Sequence, residues 1–177
     1  ILKSYGTNVV LLPGPEVVPA ITSGTIDGTE WIGPAADLGK GLHKVCNYYY
    51  YPGWHEPGTC LEAFINLQAW KKLSKNLKRL VEVSCVKSNS SIASEFFARN
   101  CFAVQKLRDQ YNVSFMRYNN KVLRLLKIRS DEVISDIASK DPLSKKIFKN
   151  IIEFRQLAIF WSHYSEADYL NARILGD

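Results

Sequence analysis

The chain has 177 residues, of which 46% are hydrophobic, 23% charged and 12% aromatic, so it is long enough for one domain or two small lobes. Its 10 Gly and 7 Pro exclude collagen-like and low-complexity chains. Its apolar runs fall short of the roughly 20 residues that a transmembrane helix needs. The net charge of +6 is uneven, because residues 1–60 carry −2 and residues 61–177 carry +8.

The N-terminal part predicts a short βαβ unit. Residues 8–12 form an apolar, β-branched run that ends at Pro13, and residues 16–23 fit a short helix that stops at Gly24. Residues 25–32 favour a second strand. This order implies parallel strands whose carboxyl ends share a crevice, where ligands of α/β proteins bind.

An aromatic segment follows a second predicted helix at residues 34–45. Residues 47–51 favour a strand, and five aromatic residues, one His and one carboxylate lie between Tyr48 and Gly58. Aromatic rings with polar tips suit the wall of a small-molecule pocket. A core strand that ends in a Pro–Gly bend explains the same composition equally well.

The remaining residues predict long helices. Apolar residues with a period of 3.6 indicate one amphipathic helix from residue 67 to about 111, a strand at 113–118 and a helix at 119–139. Asp141 and Pro142 then form a helix start, as N-cap and first helical residue. The apolar face of this last long helix is wide enough to predict packing against another subunit.

Two alternative functions follow from other residues. Lys71, Lys72, Lys75, Lys78 and Arg79 form a basic stripe, which raises the hypothesis of a basic helical module that binds nucleic acid. The stripe lacks interleaved aromatic residues and a Gly-rich phosphate loop, so a solvated helix face is favoured and no nucleic-acid partner is expected.

The second alternative is an enzyme in which His55 acts as a base and Glu56 orients it. The common catalytic motifs find no match in the chain, and catalysis is therefore not expected.

The four cysteines have no zinc-ligand spacing. Cys46, Cys60, Cys85 and Cys101 are interpreted as small buried hydrophobic residues, and a bond between Cys46 and Cys60 is conceivable. The cysteine pattern leaves the redox compartment open.

Two carboxylates lie at the two predicted bends. Glu30 precedes Trp31 after the βαβ unit, and Glu56 follows the aromatic strand. If the fold brings the two carboxylates together, they repel each other unless a cation lies between them. Such a cation attracts a ligand that carries a carboxylate. On spacing alone, two unrelated surface glutamates remain the alternative.

Three segments carry a resemblance to a known family. Residues 11–20 (LLPGPEVVPA), 24–34 (GTIDGTEWIGP) and 48–57 (YYYYPGWHEP) resemble the solute receptors of tripartite ATP-independent periplasmic (TRAP) transporters, especially the 2-oxoacid-binding branch. The likeness extends to residues 169–173 and so covers nearly the whole chain. The resemblance implies an α/β fold, the C-terminal portion of a two-lobed type II periplasmic binding protein.

The resemblance also implies a function. Such a receptor captures a small organic acid in the periplasm, here a 2-oxoacid such as pyruvate, and delivers it to a sodium-coupled membrane permease. A sodium or calcium ion accompanies the ligand, held by the side chains of Glu30 and Glu56 and the main-chain carbonyl of Trp31. The residues that would contact the organic acid are Trp31, Tyr51, Trp54 and His55.

The resemblance divides the chain among parts of a complete receptor. Residues 1–28 and 59–177 would belong mainly to one lobe with the C-terminal helices, and residues 29–58 to hinge and pocket segments. The N-terminal half, with an Arg that binds the ligand carboxylate and a Gln that helps hold the ion, would precede Ile1. The final helix resembles one that some members exchange between subunits, which implies a homodimer.

Overall fold

The computed structural model describes residues 1–56, 58 and 61–175, and these residues form a mostly helical α/β structure with one small parallel sheet. The helices are α1 (Gly14–Thr22), α2 (Pro34–Lys40), α3 (Leu67–Lys72), α4 (Lys75–Asp109), α5 (Asn120–Ser139), α6 (Pro142–Tyr164) and α7 (Glu166–Arg173), and the strands are β1 (Tyr48–Tyr51) and β2 (Ser114–Arg117). Leu2–Tyr5 and Leu42–Lys44 are 3-10 turns. The predicted α/β class is confirmed.

The chain divides into two compact units. The strand unit is Val10–Asn119, and the helical unit combines Ile1–Val9 with Asn120–Asp177. The residues buried in the strand unit are Val17, Asp37, Leu42, Ala103, Leu107 and Val113, and those in the helical unit are Leu126 and Ala138. Each unit therefore buries side chains of its own. The predicted division of a complete receptor into lobes stays a prediction.

The sheet joins two segments that are distant in the chain. Tyr48 lies opposite Ser114 and Tyr51 opposite Arg117 in a parallel register. The crossover between the strands contains α3 and α4, as a parallel pair requires a long connection. Buried Val113 donates its N–H to the Leu107 carbonyl at 3.0 Å and so leads the end of α4 directly into β2.

The predicted βαβ unit is wrong apart from its helix, which forms as α1. Residues 8–12 and 25–32 contain no strand, and the Leu11 side chain is 98% exposed. A strand needs a neighbour that pairs with its N–H and C=O groups. Within the described residues, the paired strands are β1 and β2, and they leave both predicted segments without such a neighbour.

The predicted second helix ends earlier than expected. Helix α2 stops at Gly41, whose φ of 83° lies in the left-handed region that glycine adopts without a Cβ clash. The Gly41 N–H closes the last turn on the carbonyls of Asp37 and Leu38. A 3-10 turn then replaces the rest of the predicted helix.

The predicted long helix is divided in two by its own polar side chains. Leu73 adopts an extended backbone with ψ of 139°, and Ser74 caps α4 by accepting the Leu77 N–H at 3.3 Å. Asn66 caps α3 and accepts the N–H groups of Gln68 and Ala69. Serine and asparagine bind nearby backbone groups better at a helix start than within a helix.

Burial along α4 is confined to its C-terminal part. Ala103 and Leu107 are each 2% exposed, and the Asn100 side chain accepts the Ala35 N–H of α2 at 2.9 Å. The predicted apolar face is exposed at Leu80 and Phe96. The pattern predicted a helix correctly, but not which turns of the helix are covered.

In the helical unit, the first residues of the chain are fixed to α5. Tyr5 donates its hydroxyl hydrogen to the Leu125 carbonyl at 2.8 Å, and Arg129 donates to the Ser4 hydroxyl at 3.0 Å. Helix α5 packs against α6. The predicted start of α6 is confirmed, because Asp141 accepts the backbone N–H of Ser144.

The wide apolar face of α6 is exposed. Phe154, Leu157 and Trp161 are each exposed to more than half of their maximum, whereas Phe148 and Ile152 are half-buried.

Each helix of the described residues is too short or too polar to span a membrane.

The interpretation of the cysteines as buried residues is wrong for two of them. Cys85 and Cys101 are exposed on α4: Cys85 lies on a turn before the packed part of the helix, and Cys101 lies on a different side of the helix from buried Ala103 and Leu107. Cys46 is half-buried, and burial raises the pKa of its thiol. Cys60, and with it the conceivable Cys46–Cys60 bond, lies outside the described residues.

Candidate functional site

The two predicted acidic segments approach each other in the strand unit. Nε2 of His55 lies 3.6 Å from Oε2 of Glu30, and both side chains are exposed. This contact joins the loop before α2 to the bend after β1, although the residues are distant in the chain. The segments that carry Glu30 and Glu56 thus come together, while the ion shared by the two carboxylates stays a prediction.

Glu56 is the residue next to His55, so its Cα lies about 3.8 Å from the Cα of His55. Its side chain is exposed and engages in an interaction of its own. Glu30, Glu56 and main-chain carbonyls supply the hard oxygen ligands that sodium and calcium prefer. The chemistry of the donor set therefore fits such an ion.

A complete side-chain metal site is not formed by the described residues. Across residues 1–56, 58 and 61–175, no three His, Cys, Asp or Glu side chains are grouped so that they could hold an ion. An ion bound by Glu30 and Glu56 would therefore need further oxygen ligands, such as main-chain carbonyls.

The indole of Trp31 is held between α1 and α2. A Cβ at Gly14, the first residue of α1, would lie 2.8 Å from the Trp31 Cη2 atom, so the ring occupies the space that a side chain there would need. The Lys40 ammonium at the end of α2 lies 4.6 Å from the ring centroid, a cation–π distance. These contacts hold the indole ring of Trp31 in place. They do not involve its main-chain carbonyl, which is a separate functional group.

The aromatic bend contributes a second pair of rings. The Trp54 and His55 rings are 5.0 Å apart between centroids, and Trp54 is half-buried. His55 therefore contacts both Trp54 and Glu30. Tyr51 ends β1, and its carbonyl accepts the Tyr118 N–H at 2.8 Å.

A buried carboxylate behind these loops was not predicted. Asp37 is 7% exposed, and its Oδ1 accepts the N–H groups of Ile32 at 3.2 Å and Gly33 at 3.0 Å. Its Oδ2 accepts the hydroxyl hydrogen of Tyr49 in β1 at 2.5 Å. Burial, together with the hydrogen bond to Asp37, raises the pKa of the Tyr49 phenol above its ordinary value. The available signal was an acidic residue in the first helical turn after Gly33-Pro34, a position from which carboxylates bind backbone N–H groups.

Comparison with known proteins gives the same assignment as the sequence motifs. The family described as bacterial extracellular solute-binding protein, family 7 (DctP), matches residues 1–141. A monocarboxylate 2-oxoacid-binding periplasmic protein of Nostoc sp. (strain PCC 7120) is 32% identical over 171 residues, 97% of this chain and 47% of that protein.

A solved structure shows the same fold. It is a TRAP transporter solute binding protein from Bordetella bronchiseptica RB50, with 27% identity and a TM-score of 0.86 over 94% of this chain and 49% of that chain. That protein is described as a mixed occupancy dimer with copurified calcium and picolinate in one active site and an apo site.

The chain thus spans about half the length of both proteins. The resemblance to TRAP receptors that the motifs indicated is confirmed. The family match covers most of the chain, and the Nostoc relative is similar over nearly all of it. The chain belongs to the bacterial extracellular solute-binding proteins of family 7, which bind solutes and are not a class of enzymes.

Proposed function

We propose that this chain is part of a TRAP receptor that captures a small 2-oxoacid, such as pyruvate, together with a sodium or calcium ion. The receptor then delivers the acid to a sodium-coupled permease from the periplasm. Family membership supports a solute receptor, and the Nostoc relative, a 2-oxoacid-binding periplasmic protein, supports the ligand class and compartment. The calcium and picolinate of the Bordetella protein support an ion beside an organic acid.

The observation that carries the proposal is the contact between Glu30 and His55. The 3.6 Å approach joins the two segments that hold the proposed ion ligands. Without this contact, Glu30 and Glu56 would be two unrelated surface residues.

Each residue of the site has a proposed part. Glu30, Glu56 and the Trp31 carbonyl would hold the ion, which supplies the positive charge that a carboxylate ligand needs. Trp54 and His55 form one wall with apolar faces and polar edges. Tyr51, at the end of β1, offers a hydroxyl group as a hydrogen-bond donor.

The complete receptor is proposed to contain an N-terminal half that supplies the remaining ligands. This proposal is supported by the length of the relatives, about twice that of this chain. A homodimer through the C-terminal helices is supported by the exposed apolar residues of α6 and by the dimeric Bordetella protein.

Calorimetry with pyruvate tests the proposal in the complete receptor, with this chain alone measured alongside. We expect the affinity to fall at least about tenfold when sodium and calcium are removed, since a tenfold change corresponds to about 1.4 kcal/mol. Glu30→Gln should cause a similar loss, because the amide keeps the size but removes the charge.

The matched control is Glu62→Gln, which changes an exposed glutamate of the same unit. It should leave the affinity unchanged. Equal pyruvate affinity with and without the ions would contradict the cation-dependent mechanism.

A further inference from the structure

The buried side chain of Asp37 connects the two segments of the candidate site through hydrogen bonds. Asp37 lies in α2, and its two carboxylate oxygens reach in different directions. Oδ1 accepts from the backbone of the loop that carries Glu30 and Trp31, and Oδ2 accepts from Tyr49 in β1, the strand that leads to the aromatic bend.

The energetics of this group point to a geometric role. Burial of a carboxylate is costly unless donors satisfy its oxygens. Ile32, Gly33 and Tyr49 provide three donors, and no Lys or Arg among the described residues forms a salt bridge with Asp37. Apolar side chains of similar shape could fill a core position without this cost. What an apolar residue could not do is to fix the direction of the two backbone N–H groups.

One of these N–H groups belongs to the same peptide unit as the proposed ion ligand. The Trp31 carbonyl and the Ile32 N–H share one planar peptide bond. In a trans peptide these two groups point in opposite directions. Because Asp37 holds the Ile32 N–H toward α2, the Trp31 carbonyl must point away from Asp37.

The side chain of Trp31 is fixed independently. Gly14 and Lys40 hold the indole ring, whereas Asp37 holds the following peptide. The residue is therefore restrained on both its side chain and its backbone, which limits the orientations that its carbonyl can adopt.

We propose that Asp37 is a positioning residue of the site, which sets the direction of the Trp31 carbonyl, and that Tyr49 locks Asp37 to β1. This inference rests on the proposed function, because it assigns the carbonyl to the ion. Asp37 and Tyr49 would not contact the ion or the organic acid themselves. They act through the backbone of Ile32 and Gly33.

The test uses Asp37→Leu and Asp37→Asn in the complete receptor. Leucine fills a similar volume but accepts no hydrogen bond, whereas asparagine keeps one acceptor oxygen for Ile32 and Gly33. Calcium affinity is measured by calorimetry at a temperature where circular dichroism shows each variant to be folded. We expect Asp37→Leu to weaken calcium binding at least about tenfold and Asp37→Asn to stay within about threefold of the parent.

A second readout requires no ion. Amide hydrogen exchange should accelerate at least about tenfold at Ile32 and Gly33 in Asp37→Leu, and remain unchanged at Val113, whose N–H donates to the Leu107 carbonyl just before β2. Tyr49→Phe, which removes only the hydroxyl group, should cause a smaller acceleration at the same two amides. If Asp37→Leu does not fold, the exchange rates of Ile32 and Gly33 in Tyr49→Phe test the positioning role instead.

The outcomes separate this inference from the proposed function. If the parent receptor binds no calcium and no sodium, the proposed function fails whatever the exchange data show. If the parent binds calcium and folded Asp37→Leu binds it equally well, the positioning role is overturned and the receptor function stands. Asp27→Leu, at an exposed acidic residue before the same loop, is the control and should match the parent in both readouts.

Discussion

At the scale of single residues, Gly14 shows how a missing side chain makes room for an aromatic ring. The Trp31 indole occupies the space in which a Cβ at Gly14 would lie, at 2.8 Å from Cη2. We predict that Gly14→Ala destabilises the protein by about 1–3 kcal/mol, the usual cost of overpacking. Urea unfolding measures this difference.

Gly39→Ala is the matched control for this substitution. Gly39 lies within α2 and has open space where its Cβ would be. There the same change should stabilise the helix by about 0.5–1 kcal/mol. Equal effects of the two substitutions would contradict the packing of Trp31 on Gly14.

His43 is a second residue whose surroundings lead to a prediction. Its Nδ1 atom is buried and has no hydrogen-bond partner among the described residues, and its ring packs on Tyr111 at 4.1 Å between centroids. Burial, and then the charges of Lys44 and Lys106, lower the pKa of His43 below its ordinary value of 6.5. The folded state therefore favours the neutral imidazole.

The sign of the pH dependence follows from this lowered pKa. The contribution of His43 to stability is complete above pH 6.5 and is lost as the pH falls through the lower folded-state pKa. We predict that the parent loses more stability than His43→Gln between pH 7.5 and pH 5.5, as measured by urea unfolding. Identical losses in the two proteins would show that His43 does not contribute.

At the scale of elements, hydroxyl and amide caps determine where the helices begin. Ser74 accepts the Leu77 N–H and separates α3 from α4. We predict that Ser74→Ala destabilises the protein by about 1 kcal/mol, the typical value of an N-cap. Chemical unfolding followed by circular dichroism is the measurement.

Ser84→Ala, an identical substitution at an exposed position within α4, provides the comparison. Alanine is the better helix former within a helix, so this change should raise stability by up to about 0.5 kcal/mol. Ser74→Ala should therefore lower the stability, whereas Ser84→Ala should raise it. A stabilising effect of Ser74→Ala would mean that the cap is unimportant for the helix break.

At the scale of the whole molecule, the helical unit exposes an apolar face on α6. Phe154 and Trp161 are 70% and 64% exposed, and they lie two turns apart on one side of the helix. Exposed apolar patches of this kind mark interaction surfaces. We predict a dimer in solution through this face, which Trp161→Glu should convert largely to monomer in sedimentation equilibrium.

Lys146→Glu changes a charge on the same helix and should leave the dimer intact. A parent protein that remains monomeric at high concentration, or a Trp161→Glu variant that remains dimeric, would contradict the prediction.

The sequence alone determined those features that depend on neighbouring residues. The Asp141-Pro142 helix start, the aromatic strand and most helix positions are confirmed, because caps and periodicity act within one or two turns. The motifs around Glu30-Trp31 and the aromatic bend also sufficed to recognise the family.

Only the tertiary structure decided which of these local features are paired, buried or connected. It joined Tyr48 to Ser114, left residues 8–12 without a neighbouring strand and buried Asp37 beneath the site. Strand pairing and the burial of a carboxylate depend on groups far away in the chain, and a single sequence records no distances between such groups. The family resemblance implied that the segments with Glu30 and Glu56 converge, whereas the contact between Glu30 and His55 and the hydrogen bonds of Asp37 became visible only in the fold.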